Sequence, residues 1–149
     1  MITVTRSFEF DYGHRVLGHE NKCRNLHGHR GKALVTLSNN DKLDNLGRII
    51  DFSVVKELIG TWIDRNWDHN LLLNEDDPIF SVINNYINAT SDFQRTPYLM
   101  KYGNPTAENM ARELFDIIGI ILHHNKKELR CVNVTLYETP NCYASYNKE

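Results

Sequence analysis

An α+β fold is predicted for this 149-residue chain, because strand periodicity occurs near both ends and helix periodicity between them. Apolar and polar residues alternate over 2–10, 29–37 and 132–136, which is the pattern of half-buried strands. Residues 53–66 and a stretch beginning at residue 104 carry apolar side chains at the spacing of amphipathic helices. The length is that of one domain, so we predict a single domain spanning residues 1–149.

The first half of the chain is predicted as two strands followed by a helix. The strands are expected over 2–10 and about 29–37, and Asn39-Asn40-Asp41 reads as a turn after the second. In the helix at 53–66, the side chains of Val54, Leu58 and Trp62 follow one another at i, i+4 spacing. Either Asp51 or Ser53 can cap its amino end.

A second helix is predicted to begin at Asn104-Pro105, because Asn is a good N-cap and Pro suits the first helical position. The connection from residue 74 to 103 is long enough to hold structure of its own. We expect a short helix near 79–87 and an extended piece near 96–101 within it. A third strand at 132–136 and a possible fourth at 142–146 complete the predicted order strand–strand–helix–helix–strand–strand.

Composition excludes several classes of protein. The formal net charge is −2 with acids and bases mixed along the chain, so no basic surface for nucleic acid is expected. No run approaches the roughly 20 apolar residues of a membrane span, and the first residues lack the pattern of a signal peptide. The cysteine count is three, an odd number without paired spacing, which is typical of a reducing compartment. We therefore predict a cytoplasmic protein that binds neither nucleic acid nor membrane.

Metal binding is the chemistry most strongly indicated by the sequence. His27 and His29 are two residues apart on a predicted extended segment, so their imidazoles lie on one face. With His14 they make a three-imidazole set that suits Zn²⁺ and leaves the fourth tetrahedral position open for a substrate. Cys23 lies where it can serve as a base or nucleophile. Two alternatives stay open: Cys23 as the fourth ligand of a closed structural site, and His19 in place of His14.

Three other segments place ionisable or polar residues at the ends of predicted elements, where functional sites are commonly assembled. Asp68-His69 follows the first helix, Thr106 and Glu108 begin the second, and Glu138 ends the third strand. Each has an ordinary structural interpretation as well. Asp68-His69 can simply end a helix, Pro-Thr-x-Glu is what a helix start prefers, and Glu138 can be a solvated side chain. His123 and His124 are expected to cap the second helix, and Cys131 and Cys142 to be structural.

Taken together, these segments resemble the 6-pyruvoyl-tetrahydropterin synthase superfamily over residues 1 to about 146. The residues that carry the resemblance are His14, the Cys-x3-His-x-His motif at 23, 27 and 29, Asp68-His69, Pro-Thr-x-Glu-Asn at 105–109, and Glu138-Thr139. The gap of three residues between Cys23 and His27 is similar to the bacterial branch, the 6-carboxy-5,6,7,8-tetrahydropterin synthases of queuosine biosynthesis. The segments 47–52 and 138–140 also resemble that branch, whereas Asp11-Tyr12-Gly13 departs from the small residues usual before the first ligand.

The resemblance implies the tunnelling fold, or T-fold: a four-stranded antiparallel sheet with two antiparallel helices on one face. Subunits of this family join edge to edge into a β-barrel, as a trimer or a hexamer, so a homo-oligomer with active sites between subunits is expected. Closing the barrel also removes exposed sheet edges.

The resemblance also implies a site and a reaction. His14, His27 and His29 would hold Zn²⁺, Cys23 would abstract a proton, and His69 would act as a second acid–base group with Asp68 as its partner. Glu138 would recognise the pterin ring of 7,8-dihydroneopterin triphosphate, with Thr106 and Glu108 completing the pocket.

The expected activity is a zinc-dependent lyase forming 6-carboxytetrahydropterin, triphosphate and acetaldehyde. The alternatives are a 6-pyruvoyl-tetrahydropterin synthase, which stops after elimination of triphosphate, and a zinc- or pterin-binding module without turnover. The triphosphate-binding charge is open among Arg15, Arg24, Arg30, Lys32 and another subunit.

Overall fold

The computed structural model of the protein describes residues 1–92 and 95–148; residues 93, 94 and 149, which belong to the predicted connection and the predicted domain, lie outside it. Six strands of the described chain form one sheet in the order β4-β3-β1-β2-β5-β6. Their bounds are β1 Val4–His14, β2 His27–Ser38, β3 Asn70–Asn74, β4 Tyr98–Met100, β5 Arg130–Thr139 and β6 Cys142–Tyr146.

The antiparallel part of the sheet agrees with the α+β prediction, and the sheet as a whole is larger than predicted. Strands β1, β2, β5 and β6 pair antiparallel in turn, as expected. The sheet is mixed, however, because β3 pairs parallel with β1 and β4 pairs parallel with β3. Strand β3 escaped prediction because Leu71, Leu72 and Leu73 form a continuous apolar run, which lacks the alternation of a half-buried strand.

Three helices accompany the sheet in the described chain. Helix α1 consists of consecutive segments Phe52–Val55, Lys56–Gly60 and Thr61–Asn66, the middle one a π turn; α2 is Ile79–Thr90 and α3 is Ala107–Asn125. Asp51 caps α1 by accepting a hydrogen bond from the backbone N–H of Ser53, as one of the two predicted caps. The cap of α3 is Thr106, which accepts from Asn109 N, so the prediction of Asn104 was wrong.

One apolar core lies between the sheet and helices α1 and α3. The alternate residues of β1 and β2 that face it include Phe10, Val35 and Leu37, while the helices contribute Ile59, Leu114 and others. The opposite face of these strands carries Glu9, Asp11 and Arg30 and is open to solvent in the single chain. The two faces therefore offer quite different surroundings for functional side chains. Among the described residues, none of the helices combines the length and apolarity that crossing a membrane requires.

Candidate metal centre and adjoining cavity

The hairpin of β1 and β2 brings His14, His27 and His29 together. His14 is the last residue of β1 and pairs directly with His27, the first residue of β2, while His29 pairs with Tyr12. Because residues two apart share a face of a strand, all three imidazoles lie on the core face. Their ligand atoms lie within 4.8 Å of one another, and this three-histidine cluster can hold a metal ion.

Two backbone carbonyls orient two of the imidazoles of the three-histidine cluster. The Nδ1 of His14 lies 2.7 Å from the carbonyl oxygen of Pro105, and the Nδ1 of His27 lies 2.7 Å from that of Asn25. A carbonyl only accepts hydrogen bonds, so each Nδ1 is assigned as the protonated nitrogen and each Nε2 as the one with a free lone pair. A hydrogen bond from the ring nitrogen that does not bind the metal fixes the tautomer of a metal-ligating histidine.

The chemistry of the donor set fits a cation. The Nε2 atoms of His14 and His27 lie 3.1 Å apart with their lone pairs converging, which is unfavourable unless a cation lies between them. Burial lowers the pKa of His14 to about 4, although its bond to Pro105 opposes that shift. Burial also lowers the pKa of His29, against the attraction of Glu138. A neutral imidazole is the form that binds a metal, so the lowered pKa values of His14 and His29 favour metal binding.

His29 and Tyr12 supply a further test of this fit. The Nε2 of His29 is buried without a hydrogen bond from the described residues, and so is the hydroxyl of Tyr12. The Oε1 of Glu138 lies 3.3 Å from His29 Nε2, at ion-pair distance but without hydrogen-bond geometry. Burial raises the pKa of Tyr12, and Glu138 raises it further, so this phenol stays protonated. Buried polar atoms without partners indicate that the centre is completed by a ligand.

Cys23 lies in a cavity beside the three-histidine cluster. The residue belongs to a short 3-10 turn, Lys22–Arg24, within the loop that joins β1 to β2. The cavity has a volume of about 290 Å³, and Glu138 is common to its wall and to the contact with His29. We call it the Cys23 cavity; its lining includes Val16, His19, Cys23, Thr106, Glu108, Glu138, Cys142 and Tyr143.

The composition of the Cys23 cavity bears on the alternatives left open by the sequence. Cys23 is not part of the three-histidine cluster among the described residues, so the closed four-ligand site has no support from the geometry. His19 lies in the cavity wall and accepts a hydrogen bond from Asn21 N rather than joining the cluster. Cys142, which we expected to be structural, is exposed and lines the same cavity.

The predicted pterin-pocket residues meet in the Cys23 cavity. Thr106 and Glu108 come from the start of α3, and Glu138 comes from the end of strand β5. Thr106 also caps α3 through its hydroxyl, so its structural and functional interpretations coexist. The sequence thus pointed to residues that the fold does bring together, although it gave no distances.

Asp68 and His69 form a close pair elsewhere. His69 has a φ of 53°, in the left-handed region, and this turn lets its Nδ1 reach the Oδ2 of Asp68 at 2.8 Å. The other oxygen of Asp68 accepts from the backbone N–H of Asp11 at 2.9 Å, while His69 N–H donates to the carbonyl of Asp11 at 2.7 Å. We call Asp68 and His69 the outer pair.

The outer pair lies on the other face of the sheet from the three-histidine cluster. His69 Nε2 approaches the carboxylate of Asp11 at 4.0 Å, and Asp11 alternates with the core-facing Tyr12 and His14 along β1. Arg30, paired with Asp11 across the hairpin, donates to the same carboxylate at 3.1 Å. Within one chain, the structure therefore does not bring His69 to Cys23.

Some residues of the centre escaped the sequence analysis. The carbonyl of Pro105 is invisible to pattern analysis, since any residue has a carbonyl. Tyr12 was noted only as a departure from the family pattern, although its alternation with Phe10 and His14 marks it as core-facing. Asn104 was taken for a helix cap, and its side chain instead bonds to the backbone of Leu17.

Comparisons with known proteins agree with one another. The sequence model of a family described as 6-pyruvoyl tetrahydropterin synthase matches residues 3–149. The 6-carboxy-5,6,7,8-tetrahydropterin synthase of Rickettsia felis is 43% identical over 143 residues, covering 96% of this chain and 98% of that protein.

Solved structures show the same fold. A protein from Wolinella succinogenes, described as uncharacterized, superposes with a TM-score of 0.79 at 23% identity, covering 99% of this chain and 98% of its own. The 6-pyruvoyl tetrahydropterin synthase of Caenorhabditis elegans superposes with a TM-score of 0.67 at 22% identity, covering 99% of this chain and 96% of its own. At these identities the likeness concerns the fold alone.

Proposed function

The chain belongs to the 6-pyruvoyl tetrahydropterin synthase family, and from this premise we propose that it is a zinc-dependent 6-carboxy-5,6,7,8-tetrahydropterin synthase. The proposed substrates are 7,8-dihydroneopterin triphosphate and one water, and the products are 6-carboxytetrahydropterin, triphosphate and acetaldehyde; the water supplies the second carboxylate oxygen when the carbon–carbon bond is cleaved. The family resemblance predicted from the sequence is confirmed. Curated relatives at 41–43% identity carry the 6-carboxy name, which supports this product over the 6-pyruvoyl alternative. The proposed place of the reaction is queuosine biosynthesis in the cytoplasm.

The observation that carries the proposal is the position of Glu138. Its carboxylate contacts His29 of the three-histidine cluster and lines the Cys23 cavity. A carboxylate there can accept two N–H bonds from an aminopyrimidinone ring, and charged hydrogen bonds of this type are strong. A pterin held by Glu138 would therefore lie close to both Cys23 and the three-histidine cluster.

The residues of the chain divide the chemistry among them. His14, His27 and His29 would hold the zinc. When bound, zinc supplies Lewis acidity that polarises the substrate's side-chain oxygens and acidifies the neighbouring C–H bonds. Cys23 as a thiolate accepts a proton from carbon, and the thiolate is the reactive form of cysteine. His69 serves as the second acid–base group; Asp68 holds its Nδ1, which leaves Nε2 as the nitrogen that exchanges the proton.

The outer pair requires a second copy of the chain. His69 lies on the opposite face from the Cys23 cavity, so the histidine that serves one cavity comes from a neighbouring subunit in this proposal. Two features of the described chain support association: β4 and β6 are edge strands of the sheet, and no residue of α2 is buried. Edge strands pair readily with another chain. We propose a trimer, or a hexamer built from two trimers, with the sheets joined into a barrel.

The charge that binds the triphosphate is proposed to come from Lys22 and Arg24, which flank Cys23. Arg15 is bound to the carboxylate of Asp77 through two hydrogen bonds, and Arg30 is bound to Asp11. Lys32 lies over the ring of Tyr137 at 4.5 Å. Within the described residues Lys22 and Arg24 form no ion pair, so their charges are available to an anion beside the thiol.

A turnover assay tests the proposal. Zinc-loaded protein is incubated with 7,8-dihydroneopterin triphosphate, and the products are identified by mass spectrometry. A 6-carboxy pterin with an equivalent of acetaldehyde supports the proposed reaction. A 6-pyruvoyl product assigns the alternative synthase, and the absence of any product with zinc bound assigns a binding module. A Cys23→Ala protein that keeps its zinc but loses turnover separates a base from a structural ligand.

A further inference from the structure

The loop that carries Cys23 is closed on itself by its own backbone. This loop joins β1 to β2, from residue 15 to residue 26. The backbone N–H of Val16 donates to the carbonyl of Cys23 at 2.9 Å. The position of Cys23 therefore follows the position of the Val16–Leu17 backbone.

The side chain of Asn104, in the segment just before α3, clamps that backbone through two hydrogen bonds. Its Oδ1 accepts from Leu17 N at 3.0 Å, and its Nδ2 donates to Leu17 O at 2.9 Å. Asn74 donates to the same Oδ1 at 3.2 Å. The two bonds to Leu17 use the separate donor and acceptor atoms of the amide at the same time, and an aliphatic side chain offers neither.

The backbone carbonyls of Asn104 and Pro105 hold other parts of the proposed site. The carbonyl of Pro105, the next residue, accepts from Nδ1 of His14. The carbonyl of Asn104 itself accepts from Asn109 Nδ2 at 2.9 Å and from Thr106 N at 2.8 Å, which fixes it to the start of α3. One short segment thus sets both the orientation of His14 and the position of the Cys23 loop.

We propose that Asn104 is a positioning residue that holds the thiol of Cys23 in register with the three-histidine cluster. The inference rests on the proposed function, in which Cys23 takes a proton from a substrate held at that cluster. A displacement of about 1 Å in a reacting group can cost about 100-fold in rate, so a clamp on the Cys23 loop controls the chemical step. Binding of the pterin ring by Glu138 does not depend on this clamp.

The test compares Asn104→Ala and Asn104→Asp with the wild type. Alanine removes both bonds to Leu17, and the nearly isosteric aspartate removes the donor to Leu17 O while it preserves the shape of the side chain. For zinc-loaded protein we expect kcat to fall roughly 10- to 100-fold with alanine, with KM and zinc content nearly unchanged. Aspartate is expected to lower kcat as well. Asn125→Ala is the control and should leave kcat unchanged, because the side chain of Asn125, at the exposed end of α3, donates to the carbonyl of Ile121 in the preceding helical turn.

A second readout is independent of turnover. The rate at which iodoacetamide alkylates Cys23 is measured by peptide mass spectrometry, with added N-acetylcysteine as the reference thiol. Release of the loop is expected to raise the rate at Cys23 relative to N-acetylcysteine in both Asn104 variants. An unchanged ratio and an unchanged kcat in folded variants would overturn the proposal. If the wild type itself shows no turnover, the proposed function fails, whereas the alkylation ratio still decides whether Asn104 holds the loop.

Discussion

The three-histidine cluster and the outer pair contain similar ionisable groups in opposite environments. His14 is 1% exposed, and burial lowers its pKa to about 4, whereas the side chain of His69 is 73% exposed beside two carboxylates. The Nδ1 atoms of His14 and His27 are held by carbonyls of their own chain, and His29 Nε2 is buried without a hydrogen bond from the described residues. The outer pair is equally well oriented by Asp11 but points into solvent.

This difference indicates which part of the proposed active site one chain completes. The thiol of Cys23 and the carboxylate of Glu138 line one cavity, and Glu138 connects that cavity to the three-histidine cluster. His69, the proposed second acid–base group, lies on the far face of the sheet, where the proposed reaction takes it from another molecule. The following predictions test that division.

The largest effect is expected from His27→Ala. This change removes one imidazole of the cluster, so zinc content should fall from about one per chain to near zero and turnover to background. Removing a ligand should lower the zinc affinity by more than the roughly 10–100-fold that follows when a residue hydrogen-bonded to a ligand is removed. Metal analysis and the turnover assay measure both. His124→Ala, at the exposed end of α3, is the control and should keep its zinc; a His27→Ala protein with full zinc would contradict the assignment.

Mixing two inactive variants tests the division directly. Cys23→Ala and His69→Ala are each expected to lose about 10²- to 10⁴-fold in kcat, because each removes an acid–base group. If every site takes Cys23 from one chain and His69 from another, random co-assembly restores about a quarter of the sites. The measurement is turnover after co-expression at equal levels. A mixture that stays inactive, although mass measurements show mixed oligomers, would place both groups within one chain.

A smaller effect is expected from Glu138→Gln. Loss of a charged acceptor should raise the KM for the pterin substrate roughly 10- to 100-fold, since hydrogen bonds to charged groups contribute about 1.5–3 kcal/mol. The zinc content should be unchanged, because Glu138 is outside the three-histidine cluster. Steady-state kinetics measure the effect, with Glu128→Gln as a control on the surface. An unchanged KM would remove Glu138 from ring recognition.

The smallest effect concerns stability on the cluster's side of the sheet. A Cβ at Gly31 would lie 2.9 Å from ring atoms of both Phe10 and Tyr12, so Gly31→Ala should cost about 1–3 kcal/mol in the free energy of unfolding. A Cβ at Gly119, inside α3, meets nothing within 4 Å, so Gly119→Ala should stabilise by about 0.5–1 kcal/mol. Urea unfolding measures both, and a neutral Gly31→Ala would show that the core face tolerates extra volume.

Sequence reasoning succeeded where a feature depends on residues that are close in the chain. The alternation in β1 and β2 and the i, i+2 spacing of His27 and His29 are local, and the fold preserves both. The first strand was predicted over residues 2–10, the stretch in which apolar and polar residues alternate. Pairing with both β2 and β3 extends it to His14.

What the sequence did not disclose depends on contacts between distant segments. The carbonyl of Pro105 reaches His14 across 91 positions, and Asn104 reaches Leu17 across 87. The face on which His69 lies follows from the parallel pairing of β3 with β1, and β3 itself was missed. The contact within the outer pair requires His69 in the left-handed region, an uncommon conformation for a residue other than glycine.

The hairpin that holds His14, His27 and His29 has a consequence for the order of folding. These residues are at most 15 positions apart, so bringing them together costs little loop-closure entropy. The Cys23 cavity, by contrast, cannot form until Thr106 and Glu138, from the second half of the chain, have folded against the loop. During synthesis the metal-binding hairpin leaves the ribosome first. An isolated hairpin is marginally stable, so an ion captured at that stage would stabilise the nucleus on which the remaining sheet assembles.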